Sequence, residues 1–368
     1  MTYLIAQRFV RQFAAMLLLF AATQALATDR VFRNGFDPGI EAPAETWTWV
    51  PFPESQCGDG SPTGIGVNLT SASDSLLIYL QEGGACWDYA TCYLLQTASN
   101  FGGYGESQFA TDVADTTYLA LPGGFFDRGA AANPFKDYSW AFVPYCTGDI
   151  HAGNNVAQLK FLGSTNTAHF VGYANLSGFL YRLATTFPNA TRIVLAGSSA
   201  GGFGSALNWS QTAEAFPGVR VDMIDDSGAI MPNDVLGSTS VADEQAQRTN
   251  WNLAATTPAG CTGCSAAFDA IYDFDSAAFP DSRGALLSYL QDSTLPSFYA
   301  ISTSKFTQGL TETETQLFDP TSNLRYFNAG GSGHVLWFSP SLTTKTTSIL
   351  QFVTMMIEDD PGWNSVTP

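Results

Sequence analysis

The run Leu195-Ala196-Gly197-Ser198-Ser199-Ala200-Gly201-Gly202 constrains this chain more than any other feature. It follows a short β-type stretch, Arg192 to Ala196, and opens a small-residue segment, Phe203 to Phe216, with helical spacing. Gly197-x-Ser199-x-Gly201 therefore reads as a serine on a sharp strand-to-helix turn. Such a turn strains the serine backbone, and the flanking glycines let the chain bend without a clashing Cβ. The hydroxyl then stands off the sheet beside the first N–H groups of a helix. A plain Gly/Ser-rich turn would carry the same letters, so the reading depends on what else the chain supplies.

β-type runs recur at Ser75–Leu80, Ser139–Tyr145, Arg192–Ala196 and Val219–Asp225, with weaker ones at Gly284–Leu290 and Leu324–Asn328. Between them Phe170–Phe187, Phe203–Phe216 and Thr344–Ile357 space their apolar residues as helices do. The alternation predicts an α/β fold, a mainly parallel sheet covered by helices on both faces. No repeat or long linker divides the chain, so residues 46–368 read as a single domain. Residues 28–45, with Pro38 and Pro43 and little periodicity, read as an extended surface segment.

Residues 1–27 have the layout of a secretory signal peptide. Arg8 and Arg11 precede an apolar core, Phe13 to Ala22, and Ala25-Leu26-Ala27 forms a small-x-small cleavage site. The chain is expected to be secreted, extracellular or periplasmic, with no membrane association after cleavage. Its formal net charge of -18 and four lysines argue against nucleic acid and anionic membranes as partners. Six cysteines in an exported chain suggest three disulfides. Cys86 and Cys92 lie close enough in sequence to staple one loop. Cys261 and Cys264 form a CxxC with no second CxxC or nearby histidine to complete a zinc site, which favours a loop-closing disulfide. Elimination leaves Cys57 with Cys146, one preference among 15 connectivities.

A serine nucleophile needs a base and a group that orients it. Of the three histidines, His151, His169 and His334, only His334 follows the serine. It lies in the glycine-rich loop Asn328-Ala329-Gly330-Gly331-Ser332-Gly333-His334, ahead of the last helix, where the order Ser, acid, His of an α/β-hydrolase puts the base. His169 falls in an expected helix with apolar neighbours. His151 follows a strand end and is a candidate substrate contact, as is Trp87. Asp292, straight after the run Gly284–Leu290, is the preferred acid. Asp273, Asp275 and Asp281 are rivals, and Asp225 and Asp226 read as a strand-end pair ordering the Ser227-Gly228 turn. The oxyanion that develops in acyl transfer needs N–H donors. Ala200, next to the serine, supplies one, and the turn Leu80-Gln81-Glu82-Gly83-Gly84-Ala85-Cys86 offers Gly84 and Ala85.

Taken together, these segments resemble the pectin acetylesterase/Notum family of carboxylesterases. The resemblance rests on Leu80-Gln81-Glu82-Gly83-Gly84-Ala85-Cys86-Trp87 with Cys92, on Val143-Pro144-Tyr145-Cys146-Thr147-Gly148-Asp149 and on Gly197-Ser198-Ser199-Ala200-Gly201-Gly202. Tyr289-Leu290-Gln291-Asp292-Ser293 and the glycine-histidine segment complete the order. It implies an α/β-hydrolase fold, Ser199 as nucleophile, Asp292 as acid and His334 as base. It also implies an oxyanion hole of Gly84, Ala85 and Ala200, with no metal or organic cofactor. Two departures bear on substrate: the turn reads Ala85-Cys86-Trp87 where the family usually has Trp then Cys, and Pro144 stands where an arginine often precedes the Tyr-Cys pair.

The expected function is a secreted serine carboxylesterase acting on short-chain, most simply acetyl, esters. Pectin, other acetylated polysaccharides, lipidated protein and simple esters all remain open as substrates. A monomer is expected. Two alternatives stand beside this: a catalytically silent, carbohydrate-binding hydrolase-fold module, and a polyester depolymerase.

Overall fold

The computed structural model describes residues 39–368; the signal-peptide reading and residues 28–38 of the expected N-terminal segment lie outside them. An eight-stranded sheet runs in the order β1-β2-β4-β3-β7-β8-β9-β10. Its strands are β1 (Thr48–Gln56), β2 (Pro62–Asn68), β3 (Ser75–Leu80), β4 (Ser139–Val143), β7 (Arg192–Ser198), β8 (Arg220–Asp226), β9 (Gly284–Tyr289) and β10 (Leu324–Ala329). From β4 to β10 every pairing is parallel; β1 and β2 extend one edge antiparallel. A separate hairpin is formed by β5 (Asn155–Phe161) and β6 (Ser164–Phe170).

The central strands are buried on both faces, which is why they read as unbroken apolar runs. Their residues divide by the period of two: Leu76, Ile78, Leu80, Ile193 and Leu195 join one core, Leu77, Tyr79, Val194 and Ala196 the other. On the first face α2 (Gly172–Thr186) packs Leu176, Phe179, Leu180 and Leu183; on the second α8 (Ile349–Ile357) packs Phe352, Val353 and Met356. The remaining longer helices are α1 (Glu106–Ala114), α3 (Ala200–Leu207), α4 (Trp209–Ala215), α5 (Ser238–Asn250), α6 (Ala270–Ala278) and α7 (Thr303–Thr313). This is the mainly parallel, helix-covered sheet that the sequence pattern predicts, of the α/β-hydrolase-like kind that the resemblance implies.

Several expectations need correction. The helix expected over Phe203–Phe216 is two, α3 and α4, divided at Asn208, whose side chain bonds the carbonyls of Gly204 and His151. Thr343–Thr344 and Thr347–Ser348 form a small hairpin, so the last helix starts at Ile349, capped by Ser348. His169 lies in β6, not in a helix, and its Nδ1 meets Gln56 Oε1 at 3.0 Å. The antiparallel strands β1 and β2 escape sequence patterning because Pro51 and Pro53 interrupt β1, tolerable on the edge it forms, and Gly64 and Gly66 interrupt β2 beside it. Within the expected surface segment, Ile40 is buried in the first core and Ala44 bridges Leu69. The cysteines pair as Cys57–Cys146, Cys86–Cys92 and Cys261–Cys264.

The interior holds an unusual number of carboxyls. Asp225 accepts from Tyr272 Oη at 2.6 Å and Gly228 N at 2.8 Å, Glu314 from Asn328 Nδ2 at 2.8 Å, and Asp149 from Gly172 N at 2.8 Å. Asp275 bonds Ser210. Burial outweighs these bonds and pushes Asp225, Asp275 and Glu314 up to about 7 and Asp149 to about 6. A carboxyl raised in the fold stabilises it fully below its unfolded value, near 4, and that contribution is lost as pH rises through the folded value. The urea unfolding midpoint is therefore expected to be higher at pH 5 than at pH 8. A midpoint that rises over this interval would contradict the protonated interior.

Candidate active site

The site sits where the parallel strands end, the edge at which α/β sheets present their loops. Ser199 follows β7 directly and adopts φ 51°, ψ -115°, with its N–H bonded to the Asp226 carbonyl at 2.7 Å. The glycines around it are dictated by contact. A Cβ on Gly197 would lie 2.1 Å from the Gly201 carbonyl oxygen, and one on Gly201 would lie 1.9 Å from that of Leu80. The helix thus starts pressed against the end of β3, with Ala200 as its first residue.

Asp292 follows β9 and His334 follows β10; these strands are parallel neighbours, so their loops meet. Gln291 N bonds Gly331 O and Ser293 N bonds Gly333 O, both at 3.2 Å. His334 Nδ1 lies 2.7 Å from Asp292 Oδ2, and its Nε2 lies 2.9 Å from Ser199 Oγ. The other Asp292 oxygen accepts the N–H groups of Thr294 and Leu295 at 2.8 Å each, which fixes a buried carboxylate on the histidine. None of the rival acids occupies that place: Asp225 and Asp275 bond Tyr272 and Ser210, Asp273 lies in the first turn of α6, and Asp281 precedes β9.

Ser199 opens into a cavity that Gly84, Ala85 and Ala200 also line. Much of the wall is apolar, from Ile150, Phe203, Leu207, Ile230, Met231, Phe268, Leu295 and Phe298. One side is polar, where α5 presents Ser240, Asp243, Glu244 and Gln247. Glu244 is paired with Arg248 at 2.7 Å, and the Arg248 guanidinium lies 3.6 Å over the Phe268 ring. Sequence reasoning did not single out this wall, because its residues come from segments distant in the chain and none carries a motif.

Neither proposed substrate contact lines the cavity. His151 is 2% exposed, its Nε2 is 2.9 Å from the Gln81 carbonyl, and its ring packs on Tyr145. Burial pulls its pKa down to about 4, so it is a neutral prop under the glycine turn. Trp87 is buried and does not line the cavity: its carbonyl accepts from Asn250 Nδ2 at 2.8 Å. Among the described residues, no cluster of three or more His, Cys, Asp or Glu side chains is arranged to hold a metal ion.

A parallel sheet with a serine on a strand-to-helix elbow, a histidine and a carboxylate on later loops defines an α/β-hydrolase-like protein. More specifically, the chain belongs to the pectinacetylesterase family, whose model matches residues 50–271. That span includes the glycine turn and the elbow, while Asp292 and His334 lie beyond it. Among curated proteins it is similar to palmitoleoyl-protein carboxylesterase NOTUM of Homo sapiens, 26% identical over 194 residues, 51% of this chain and 36% of the relative. The NOTUM of Mus musculus is 26% identical over 189 residues, covering 48% and 34%. That of Schmidtea mediterranea is 30% identical over 170 residues, covering 43% and 29%. The matched stretches thus span about a third of these relatives' length.

Gly201→Ala tests the elbow itself. The new methyl meets backbone that has no room to yield, so the unfolding free energy is expected to fall by about 3 kcal/mol, the upper end of overpacking costs. Reaction of Ser199 with a fluorophosphonate is expected to be lost as well. A variant that melts and labels like the wild type would show that the helix need not lie this close to β3.

Proposed function

We propose that this protein is an exported serine carboxylesterase. The hydrogen-bonded series Asp292–His334–Ser199, opening on an apolar-walled cavity, carries the reading. Ser199 Oγ attacks the ester carbonyl while His334 Nε2 takes its proton, with Asp292 holding the imidazole in register. The N–H groups of Gly84, Ala85 and Ala200 receive the developing oxyanion. His334 then protonates the departing alcohol. Water, activated by the same histidine, releases the acid from Ser199.

The cavity receives the acyl group. Its wall offers more apolar surface than an acetyl methyl uses, so chains somewhat longer than acetyl fit it. The relatives are named for a palmitoleoyl-protein substrate, and for this chain we assign a shorter acyl group. The formal net charge of -18 favours an uncharged alcohol side, such as a neutral acetylated polysaccharide, over an anionic one. Three disulfides suit an oxidising compartment. A catalytically silent module is disfavoured by the intact serine, histidine and carboxylate geometry.

Hydrolysis of p-nitrophenyl esters from acetate to octanoate tests both parts. Each methylene that finds the wall adds about 0.8 kcal/mol, or about fourfold in kcat/KM. The rate is expected to rise from acetate to butyrate and to vanish in Ser199→Ala without change in fold. Activity that survives in Ser199→Ala would sink the assignment. A monotonic fall from acetate onward would restrict the enzyme to acetyl esters.

A further inference from the structure

Beneath the three residues of the proposed triad lies a hydrogen-bonded chain that the reaction does not use. Asp226, fully buried at the end of β8, accepts from Ser198 Oγ at 2.7 Å, Ser227 Oγ at 3.1 Å and the N–H groups of Leu336 and Trp337 at 2.9 Å each. Ser227 Oγ in turn accepts from Val335 N at 3.1 Å. The three residues after His334 are therefore fastened to the strand beside the nucleophile. Val335 holds φ 61°, a conformation that a β-branched residue keeps only where its surroundings impose it.

From Asp226 the chain continues through Ser198 to Tyr79 Oη at 2.9 Å, and from there to Glu82 Oε2 at 3.2 Å. Tyr118 Oη meets the same Glu82 oxygen at 3.1 Å. Glu82 stands two residues before Gly84, on the turn assigned to the oxyanion. Four contacts thus join Asp226, Ser198, Tyr79, Glu82 and Tyr118, but three hydroxyls supply only three hydrogens. With both carboxyls ionised, one contact would set lone pair against lone pair beside a negative charge. One further proton, taken from solvent, completes the series. Asp226 already faces two backbone N–H donors and two hydroxyls, so it is the site suited to the anion. The proton belongs on Glu82, which then donates to Tyr79, Tyr79 to Ser198 and Ser198 to Asp226.

We propose that Asp226 is the positioning residue for the general base, and that one proton held on Glu82 locks the histidine loop to the oxyanion turn through Tyr79 and Ser198. The proposal rests on the triad reading above. The groups within electrostatic reach of Glu82 are Tyr79 of β3, Tyr118, Tyr104 and Asp112 on and around α1, and Asp226 of β8, with His334 beyond it. Burial leads in pushing Glu82 up to about 7, with the charge of Asp226 adding to it. Raising the pH through that value removes the proton, leaves two anions in one chain and loosens the loop that carries His334. The apolar wall from Ile230, Met231, Phe268 and Leu295 lies outside this chain, so kcat is expected to fall and KM is not.

The test is the pH dependence of p-nitrophenyl butyrate hydrolysis between about pH 5.5 and 9 for the wild type, Glu82→Gln, Ser198→Ala and Asp226→Asn. The wild type is expected to show a descending limb in kcat near the Glu82 value. Glu82→Gln is expected to lack it, because an amide donates to Tyr79 at every pH. Asp226→Asn, which turns a donor toward the N–H groups of Leu336 or Trp337, is expected to lower kcat about 100-fold with KM within about threefold. Should that variant not fold, Ser198→Ala cuts the chain while leaving Asp226 its backbone donors, and is expected to lose the limb. A wild-type kcat flat to pH 9, a limb persisting in Glu82→Gln or Ser198→Ala, or full kcat in folded Asp226→Asn would each overturn the proposal. The infrared difference between wild type and Glu82→Gln at pH 6 reads the proton without turnover: a protonated-carboxyl band is expected, and its absence overturns the shared proton. A wild type that turns over no ester and leaves Ser199 unlabelled by a fluorophosphonate refutes the esterase reading instead.

Discussion

The approach of one helix start to one strand end governs the rest of this molecule. Gly201 lies so near the Leu80 carbonyl that no side chain fits between them, and Gly197 lies as near to Gly201. Two successive glycine contacts bring the first turn of α3 down onto the sheet. Ser199 is left at positive φ with its hydroxyl off the sheet, and the turn that follows β3 comes alongside it. Parallel register then does the remaining alignment. β7 beside β8 sets Ser198 against Asp226, and β9 beside β10 sends Asp292 and His334 off the same edge. Ser199 and His334, 135 residues apart in the chain, meet at 2.9 Å because each follows a strand of the same sheet.

What the sequence made legible follows from this geometry. The elbow announces itself because close backbone contact demands glycine, and only three histidines compete for the base. The parallel strands announce themselves because burial on both faces leaves no polar alternation to confuse them. The place of Asp292 after a strand is legible, although its bonds to Thr294 and Leu295 are invisible in the letters. The antiparallel strands β1 and β2 were not legible, since proline and glycine within them mimic loops. His169 and His151 were misplaced because a histidine's type says nothing of the face it turns to. Asp226 reads from sequence as a turn-ordering residue, and it does bond Ser227; its contacts to Leu336 and Trp337 link residues 110 and 111 positions apart, beyond any local pattern.

The opposite end of the strands shows how a chain this acidic spends its few cations. Arg192 and Arg220, at the starts of β7 and β8, converge on buried Asp222 at 2.6 and 2.9 Å. Both also reach Asp359, just past α8, and Arg283, before β9, approaches the same carboxylate at 3.6 Å. Arg192 and Arg283 further bond carbonyls at the end of that helix. Three arginines thereby tie three strand starts and the last helix into one network, partly shielded from water. Exposed ion pairs contribute little, but a shared network around a buried aspartate resists being broken at any one member.

That allocation has a consequence at the working edge. With arginines committed to the far end of the sheet and Arg248 engaged by Glu244 and Phe268, the cavity receives its polarity from Ser240, Asp243, Glu244 and Gln247. In the proposed reaction, the carboxylate product released at Ser199 enters a field that repels it, which favours release over rebinding. An anionic polymer approaching the same mouth meets the same field, whereas an uncharged ester does not. For the proposed esterase the charge balance therefore acts at two points: it favours neutral groups on the alcohol side, and it favours departure of the acid product.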